Sequence, residues 1–132
     1  MRYEFDAPVT AAELADLRES VGWNRMERDL SDPRLRNAFH LCCYDGEHLI
    51  GYVAVICNGV TDAYIQDLMV HPGYQHQSIG HHLIQRTLDR LRADGIYMVS
   101  VIYGDAALQR YYEDFGFTTM LCGQMELRPE HN

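Results

Sequence analysis

Hydrophobic and polar positions change their period several times along the chain, and each change predicts an element. Residues Arg2–Asp6 alternate polar and aromatic side chains, the two-residue period of a short strand that Pro8 ends. Thr10-Ala11-Ala12-Glu13 has the Ser/Thr-x-x-Glu pattern in which hydroxyl and carboxylate satisfy each other's backbone N–H, and Leu14, Leu17 and Val21 follow on one helical face. Gly22-Trp23-Asn24 breaks that helix, and Arg25–Leu30 predicts a second, short one before Ser31-Asp32-Pro33.

Strand signals come next. Asn37–Tyr44 and His48–Cys57 flank the hairpin signal Asp45-Gly46, and Asn58-Gly59 turns the chain into a third strand, Ala63–Val70. The period then lengthens to that of a helix: Ile79, Leu83, Ile84, Thr87, Leu88 and Leu91 share a face over Gly80–Ala93, with Arg86, Asp89, Arg90 and Arg92 opposite. Asp94-Gly95 closes it. Ile96–Tyr103 is nearly continuously apolar, which predicts a strand buried on both faces in the middle of a helix-covered sheet.

Strand, turn, helix and strand make a βαβ crossover, so its two strands should be parallel and its connection right-handed. Gly104-Asp105 opens a last helix over Ala106–Asp114, and Phe117–Arg128 is expected to add a final strand or hairpin. No repeat, linker or low-complexity segment interrupts the series, so the expectation is one mixed α/β domain over residues 1–132.

Composition narrows this picture. Of 132 residues 47% are hydrophobic, enough for one real core, and the net charge of −8 disfavours nucleic acid or an anionic membrane as partner. All eleven basic side chains are Arg; Lys is absent. Genomic bias accounts for this most simply; avoidance of self-modification by an acyl-transferring protein is the alternative. Cys42, Cys43, Cys57 and Cys122 lie in apolar strand-like runs without C-x-x-C spacing, and adjacent Cys42 and Cys43 should face opposite sides of a strand. Buried free thiols in a reducing cytoplasm are expected, rather than a disulfide framework. No apolar run approaches the ~20 residues that span a bilayer, and the N-terminus lacks a signal-peptide core, so the expectation is a soluble protein.

Chemistry concentrates in the turn Gln75-His76-Gln77-Ser78-Ile79-Gly80 between the third strand and the long helix. Four N–H groups at a helix N-terminus lack partners and the helix dipole adds about half a positive charge, so this turn is suited to a phosphate group. Small Ser78 and Gly80 let an anion approach the backbone. The Lys of a P-loop and the three-glycine dinucleotide fingerprint are both missing.

With Val70-His71-Pro72 before it, the loop resembles the acetyl-CoA motif of the GNAT superfamily of N-acetyltransferases, Gln/Arg-x-x-Gly-x-Gly/Ala, with Ser78 in place of the first glycine. Asp105-Ala106-Ala107-Leu108 through Tyr112 to Gly116-Phe117 resembles the family's later Asn-x-x-Ala-x-x-x-Tyr-x-x-x-Gly-Phe, with Asp105 and Leu108 departing from it. Tyr64-Ile65-Gln66-Asp67-Leu68-Met69-Val70 is similar to an acidic stretch of polyamine acetyltransferases, with Gln66 where those carry Glu.

The resemblance implies the GNAT acyl-CoA N-acyltransferase fold, a mixed sheet whose two parallel strands splay at one end to admit acetyl-CoA. It implies that the strand edge at Leu68, Met69 and Val70 pairs with the pantetheine amides, and that the backbone of Gln75, His76, Gln77, Ser78, Ile79, Gly80 and His81 holds the pyrophosphate. Tyr112 would protonate the leaving thiolate as general acid, or serve aromatic packing; Tyr111 reads as packing. Asp67 is the nearest carboxylate for a general base, or else an acid that orients backbone or an Arg, and His40 and His71 are substitutes for the base role. Trp23 reads as a plug between helices or as lining of the acceptor pocket.

The histidines His71, His76, His81 and His82 read as a solvated cluster beside the phosphate loop, since adjacent His81 and His82 project apart and no H-E-x-x-H occurs; no metal is expected. The acceptor would be an amine of a small molecule or peptide, attacking the thioester directly. Dimerisation through the last strands is a further expectation. The competing reading is a GNAT-fold module that binds CoA or regulates without catalysis.

Overall fold

The computed structural model describes residues 1–129; the last three residues of the expected 1–132 domain lie outside the described residues. The elements run β1 (Arg2–Phe5), α1 (Ala11–Ser20), α2 (Glu27–Leu30), β2 (Phe39–Asp45), β3 (His48–Cys57), β4 (Asp62–Val70), α3 (Ile79–Ala93), β5 (Met98–Val101) and α4 (Gln109–Asp114). The five strands lie in sequence order, β1-β2-β3-β4-β5, antiparallel up to β4 and parallel between β4 and β5.

Local chemistry explains the helix ends. Thr10 and Glu13 form the reciprocal cap of α1, with Glu13 N–H donating to Thr10 Oγ1 at 3.1 Å and Thr10 N–H donating to Glu13 Oε1 at 3.0 Å. Past the C-terminus of the long helix α3, Gly95 takes a left-handed backbone, φ 76, and Gly95 and Ile96 N–H donate back to Arg92 O and Leu91 O.

Two layers pack on the sheet. On one face α3 lays Ile79, Leu83, Ile84, Leu88 and Leu91 over Leu41, Cys43, Val53, Val55 and Ile65. On the other, α1 sets Leu14 and Leu17 against Cys42, Tyr44, Leu49, Tyr52, Ala54 and Met69. Cys42 and Cys43 thus face opposite layers, and burial raises both thiols, Cys42 to about 11, which leaves them unreactive. Gly51 brings α3 close: a Cβ there would lie 3.2 Å from both Ile79 Cγ2 and Leu83 Cδ1.

One irregularity in β4 matters for everything downstream. Ala54 of β3 pairs with Gln66, but Tyr52 pairs with Met69, so β4 carries an extra residue here and Asp67 adopts φ 56. This is a β-bulge. Before it Ala63 and Ile65 point to the α3 layer, whereas Met69 after it points to the α1 layer.

Four expectations are corrected. Residues 96–103 do not form a central strand: β5 has four residues, lies at the sheet edge and alternates exposed Met98 and Ser100 with half-buried Val99 and Val101. Its apolar run reflects an edge with no helix over its second face. Phe117–Arg128 forms neither strand nor hairpin, because no segment of the sheet pairs with it. Trp23 is no plug: it is 41% exposed, held beneath the Arg18 guanidinium at 5.4 Å. Cys122 is exposed, carried on the same unpaired C-terminal segment.

Candidate active site

The pairing of β4 with β5 stops at Ile65 and Val101, although β4 runs on to Val70. The two parallel strands therefore part, and the β4 edge at Leu68, Met69 and Val70 has no β5 partner. Past this open end the chain makes a single 3-10 turn at Pro72–Tyr74, where His71 Nδ1 accepts from Gly73 N–H at 3.0 Å. Gln75 folds back, its Nε2 donating to Val70 O at 3.3 Å. The loop then enters α3.

At that N-terminus no side chain caps the helix. Ser78, the N-cap, sits in the left-handed region at φ 63, and His76 at φ 67. Glycine adopts this backbone without a steric cost and serine does not, which gives a physical reason for a glycine at this place in the motif. Gln75, His76, Gln77, Ser78 and His81 are exposed, Gly80 is half-buried, and Ile79 is a core side chain that contributes only backbone to the cradle. A bound pyrophosphate fits such a set of free N–H donors with small residues around them.

Over the α3 face of the same opening lies an aromatic group. Tyr112 is 6% exposed, stacks on Tyr103 at 4.9 Å and meets Tyr111 edge-on at 5.1 Å. Burial, helped by the neighbouring tyrosines, pushes its phenol up to about 12. It therefore keeps its proton across the neutral range, as a proton donor must. Tyr111 is half-buried as expected of a packing residue, but its hydroxyl also reaches the first turn of α3, 3.4 Å from where a Cβ on Gly80 would stand.

The α1 face of the opening is polar. Asp67, carried on the bulge, faces Arg18 with Oδ1 3.5 Å from Nη1. Burial raises the Asp67 carboxyl, and Arg18 opposes that rise. Arg18 also donates from Nε to Asn24 O at 2.7 Å and from Nη2 to Asn24 Oδ1 at 2.9 Å. One guanidinium thus ties α1, the loop carrying Trp23, and the bulge together. Gln66 Nε2 donates to Asn37 Oδ1 at 3.4 Å beside them.

The substitute bases are occupied elsewhere. His40 Nε2 lies 2.8 Å from Ala7 O and its ring stacks on Tyr52 at 5.6 Å, and His71 holds the 3-10 turn. His81 stacks on Phe115 at 4.9 Å and His82 lies 5.8 Å from Tyr3, so these two pack against aromatics. Among the described residues no group of three or more His, Cys, Asp or Glu is placed to hold a metal ion. No helix among them is long and apolar enough to cross a membrane.

Arg18, Asn24 and Asn37 also line the candidate site, and sequence reasoning missed them. A signal existed for one of them: Arg18 falls four residues after Leu14 and one after Leu17, on the apolar stripe of α1, and an Arg there needs a buried partner.

Comparison with known proteins agrees with this architecture. The model of the acetyltransferase (GNAT) family matches residues 8–117. An uncharacterized N-acetyltransferase, ycf52, of Gracilaria tenuistipitata var. liui is 27% identical over 120 residues, which cover 87% of this chain; the chain spans 65% of that protein's length. A protein of unknown function from meticillin-resistant Staphylococcus aureus superposes with a TM-score of 0.78 at 26% identity, covering 97% of this chain and 98% of its own. An aminoglycoside 6'-N-acetyltransferase crystallised with coenzyme A shares the fold at a TM-score of 0.64 and 16% identity, over 76% of this chain and 61% of its own.

Proposed function

Because the chain belongs to the acetyltransferase (GNAT) family, we propose that it moves an acetyl group from acetyl-CoA to an amine of a small molecule or peptide by direct attack. The observation that carries this reading is the convergence on one opening of three features. These are an uncapped α3 N-terminus, an unpaired β4 edge at Leu68–Val70, and a buried phenol that holds its proton.

Acetyl-CoA supplies an activated acyl carbonyl with a thiolate leaving group. The N–H groups of the Gln75–His81 stretch hold its pyrophosphate, and Leu68, Met69 and Val70, on the side of β4 that β5 leaves open, hold the pantetheine amides as an added strand does, Gln75 Nε2 giving up Val70 O. Tyr112 donates the proton that the departing thiolate takes. On the opposite face Asp67 accepts the proton that the acceptor's ammonium loses, directly or through water, to become the neutral amine that attacks, while Trp23 and Arg18 border the acceptor opening. Backbone N–H groups beside the strand splay stabilise the oxyanion. The free buried thiols fit a reducing compartment, and a cytoplasmic location belongs to the same reading.

Two observations favour a second reading, a CoA-binding module without catalysis: Ser78 strains the cradle at φ 63, and Tyr112 is stacked against Tyr103. A CoA-release assay against a panel of small amines and peptide N-termini, paired with calorimetric titration of CoA, separates the two. Release with at least one amine supports the transferase. Binding without release for every amine selects the module, and no binding overturns both.

A further inference from the structure

α4 is too short to hold its own direction. It spans six residues, Gln109–Asp114, far fewer than an isolated helix needs, and Tyr112 is its one buried side chain. Whatever grips that side chain therefore sets its heading. The Tyr112 ring lies flat on Tyr103, with centroids 4.9 Å apart and planes 11° from parallel, and meets Tyr111 and Phe117 edge-on at 5.1 and 5.9 Å. Among the described residues no side chain or backbone group bonds the Tyr112 hydroxyl, so packing of the ring alone aims it.

Tyr103, two residues past β5, is itself held. Its hydroxyl lies 2.5 Å from Thr119 Oγ1, and Thr119 donates to Glu113 Oε2 at 3.0 Å, an oxygen that also accepts from Gln109 Nε2 at 3.1 Å. A carboxylate only accepts, so the Thr119 proton points to Glu113 and the Tyr103 proton to Thr119. Glu113 follows Tyr112 in α4, and the contacts close into a circuit: Tyr112 on Tyr103, Tyr103 to Thr119, Thr119 to Glu113, and Glu113 through one peptide back to Tyr112. A short helix gripped at one side chain can turn about it. Gripped at two, it cannot.

We propose that Tyr103 is a positioning residue, locked by Thr119 and Glu113, that fixes the direction in which Tyr112 presents its proton to the leaving thiolate. The inference rests on the reading of Tyr112 as general acid. Proton donation needs hydrogen-bond reach, so a phenol displaced by about 1 Å donates poorly although acetyl-CoA still binds. Thr119 and Glu113 are exposed, where a hydrogen bond adds little to stability, so the bond between them can be removed with the fold left intact.

The test pairs Thr119→Val, which keeps the shape of the side chain and removes its donor, with Thr119→Ser, which keeps the donor. With an amine that gives CoA release, Thr119→Val should lower kcat about tenfold with both KM values within about twofold. Thr119→Ser should turn over like the wild type, and Thr119→Val should cost nothing further in a Tyr112→Phe background. An equal loss in both backgrounds overturns the proposal, because Thr119 then acts other than through Tyr112. A wild-type kcat for Thr119→Val beside a slow Tyr112→Phe overturns it and leaves the acid reading standing. NMR of isotope-labelled tyrosine reads the positioning without turnover: the stacked Tyr103 ring gives the Tyr112 ring signals an upfield shift, which Thr119→Val should reduce and Thr119→Ser should keep. Tyr112 signals unmoved in Thr119→Val overturn the proposal alone. Wild-type turnover by Tyr112→Phe overturns the acid reading and this proposal with it, as does CoA release with no amine.

Discussion

On the α3 face of the opening, the groups proposed for phosphate and thioester come mainly from one continuous stretch, β4 through the first turn of α3, joined by α4. On the α1 face the polar groups come from Arg18, Trp23, Asn24, Asn37, Gln66 and Asp67, held together by side-chain bonds across the sequence. The difference is one of how each surface is specified. A helix N-terminus makes its donors from backbone, so the first face follows from where a helix begins. The second depends on which long side chains happen to meet: the Arg18 guanidinium gathers Trp23, Asn24 and Asp67, and Gln66 bonds Asn37.

This contrast can be broken one side at a time. The largest effect is expected for Tyr112→Phe, which should lower kcat at least about a hundredfold through loss of the general acid, with acetyl-CoA affinity by calorimetry within twofold. Unchanged turnover would assign Tyr112 to packing alone. Asp67→Asn should cost tens of fold to about a hundredfold in kcat/KM at neutral pH. Its pH profile carries the sharper information. A base must be ionised, so activity falls as pH drops through the Asp67 pKa, and burial sets that fall above the ordinary carboxylate range. Because Arg18 lowers this pKa, Arg18→Gln should move the acid limb to higher pH. An acid limb that stays put in both variants would leave Asp67 as a mere partner of Arg18.

Smaller changes test the outer parts. Trp23→Ala should raise the acceptor KM about tenfold, on the scale of roughly 1.4 kcal/mol of lost apolar contact, and leave the acetyl-CoA KM alone; the reverse pattern would move Trp23 to the cofactor side. Ser78→Gly should have the smallest effect. It removes a left-handed serine, a strain of about 1 kcal/mol, and should tighten CoA binding up to about fivefold in a direct titration.

The same contrast explains what could be read from the chain. The Thr10–Glu13 cap, the His48–Cys57 strand and the α3 stripe are written in neighbouring residues whose periods agree with their burial, and they were legible. The turn before α3 was legible for that reason, since Gly80 and the helix start are local. The bulge at Asp67 was not: its two-for-one pairing is a relation to β3, with no turn residue to announce it. Ile96–Tyr103 misled because an apolar run looks the same whether helices cover both faces or one face lies open at the sheet edge. Phe117–Arg128 has strand-like residues, yet it pairs with no strand although the β5 edge of its own sheet stands open.

The bulge has one more consequence. A strand is a two-state code, odd residues up and even residues down, and one inserted residue inverts the phase of all that follow. In β4 that inversion falls between Ile65 and Met69, so one strand addresses the α3 layer in its first half and turns the next odd-numbered residue to the α1 layer in its second. The two layers would otherwise be separated by the full thickness of the sheet. At the phase break, and only there along β4, a single backbone presents Asp67 toward Arg18 while its free edge opens beside Leu68, so groups that belong to opposite layers meet in the plane of the sheet.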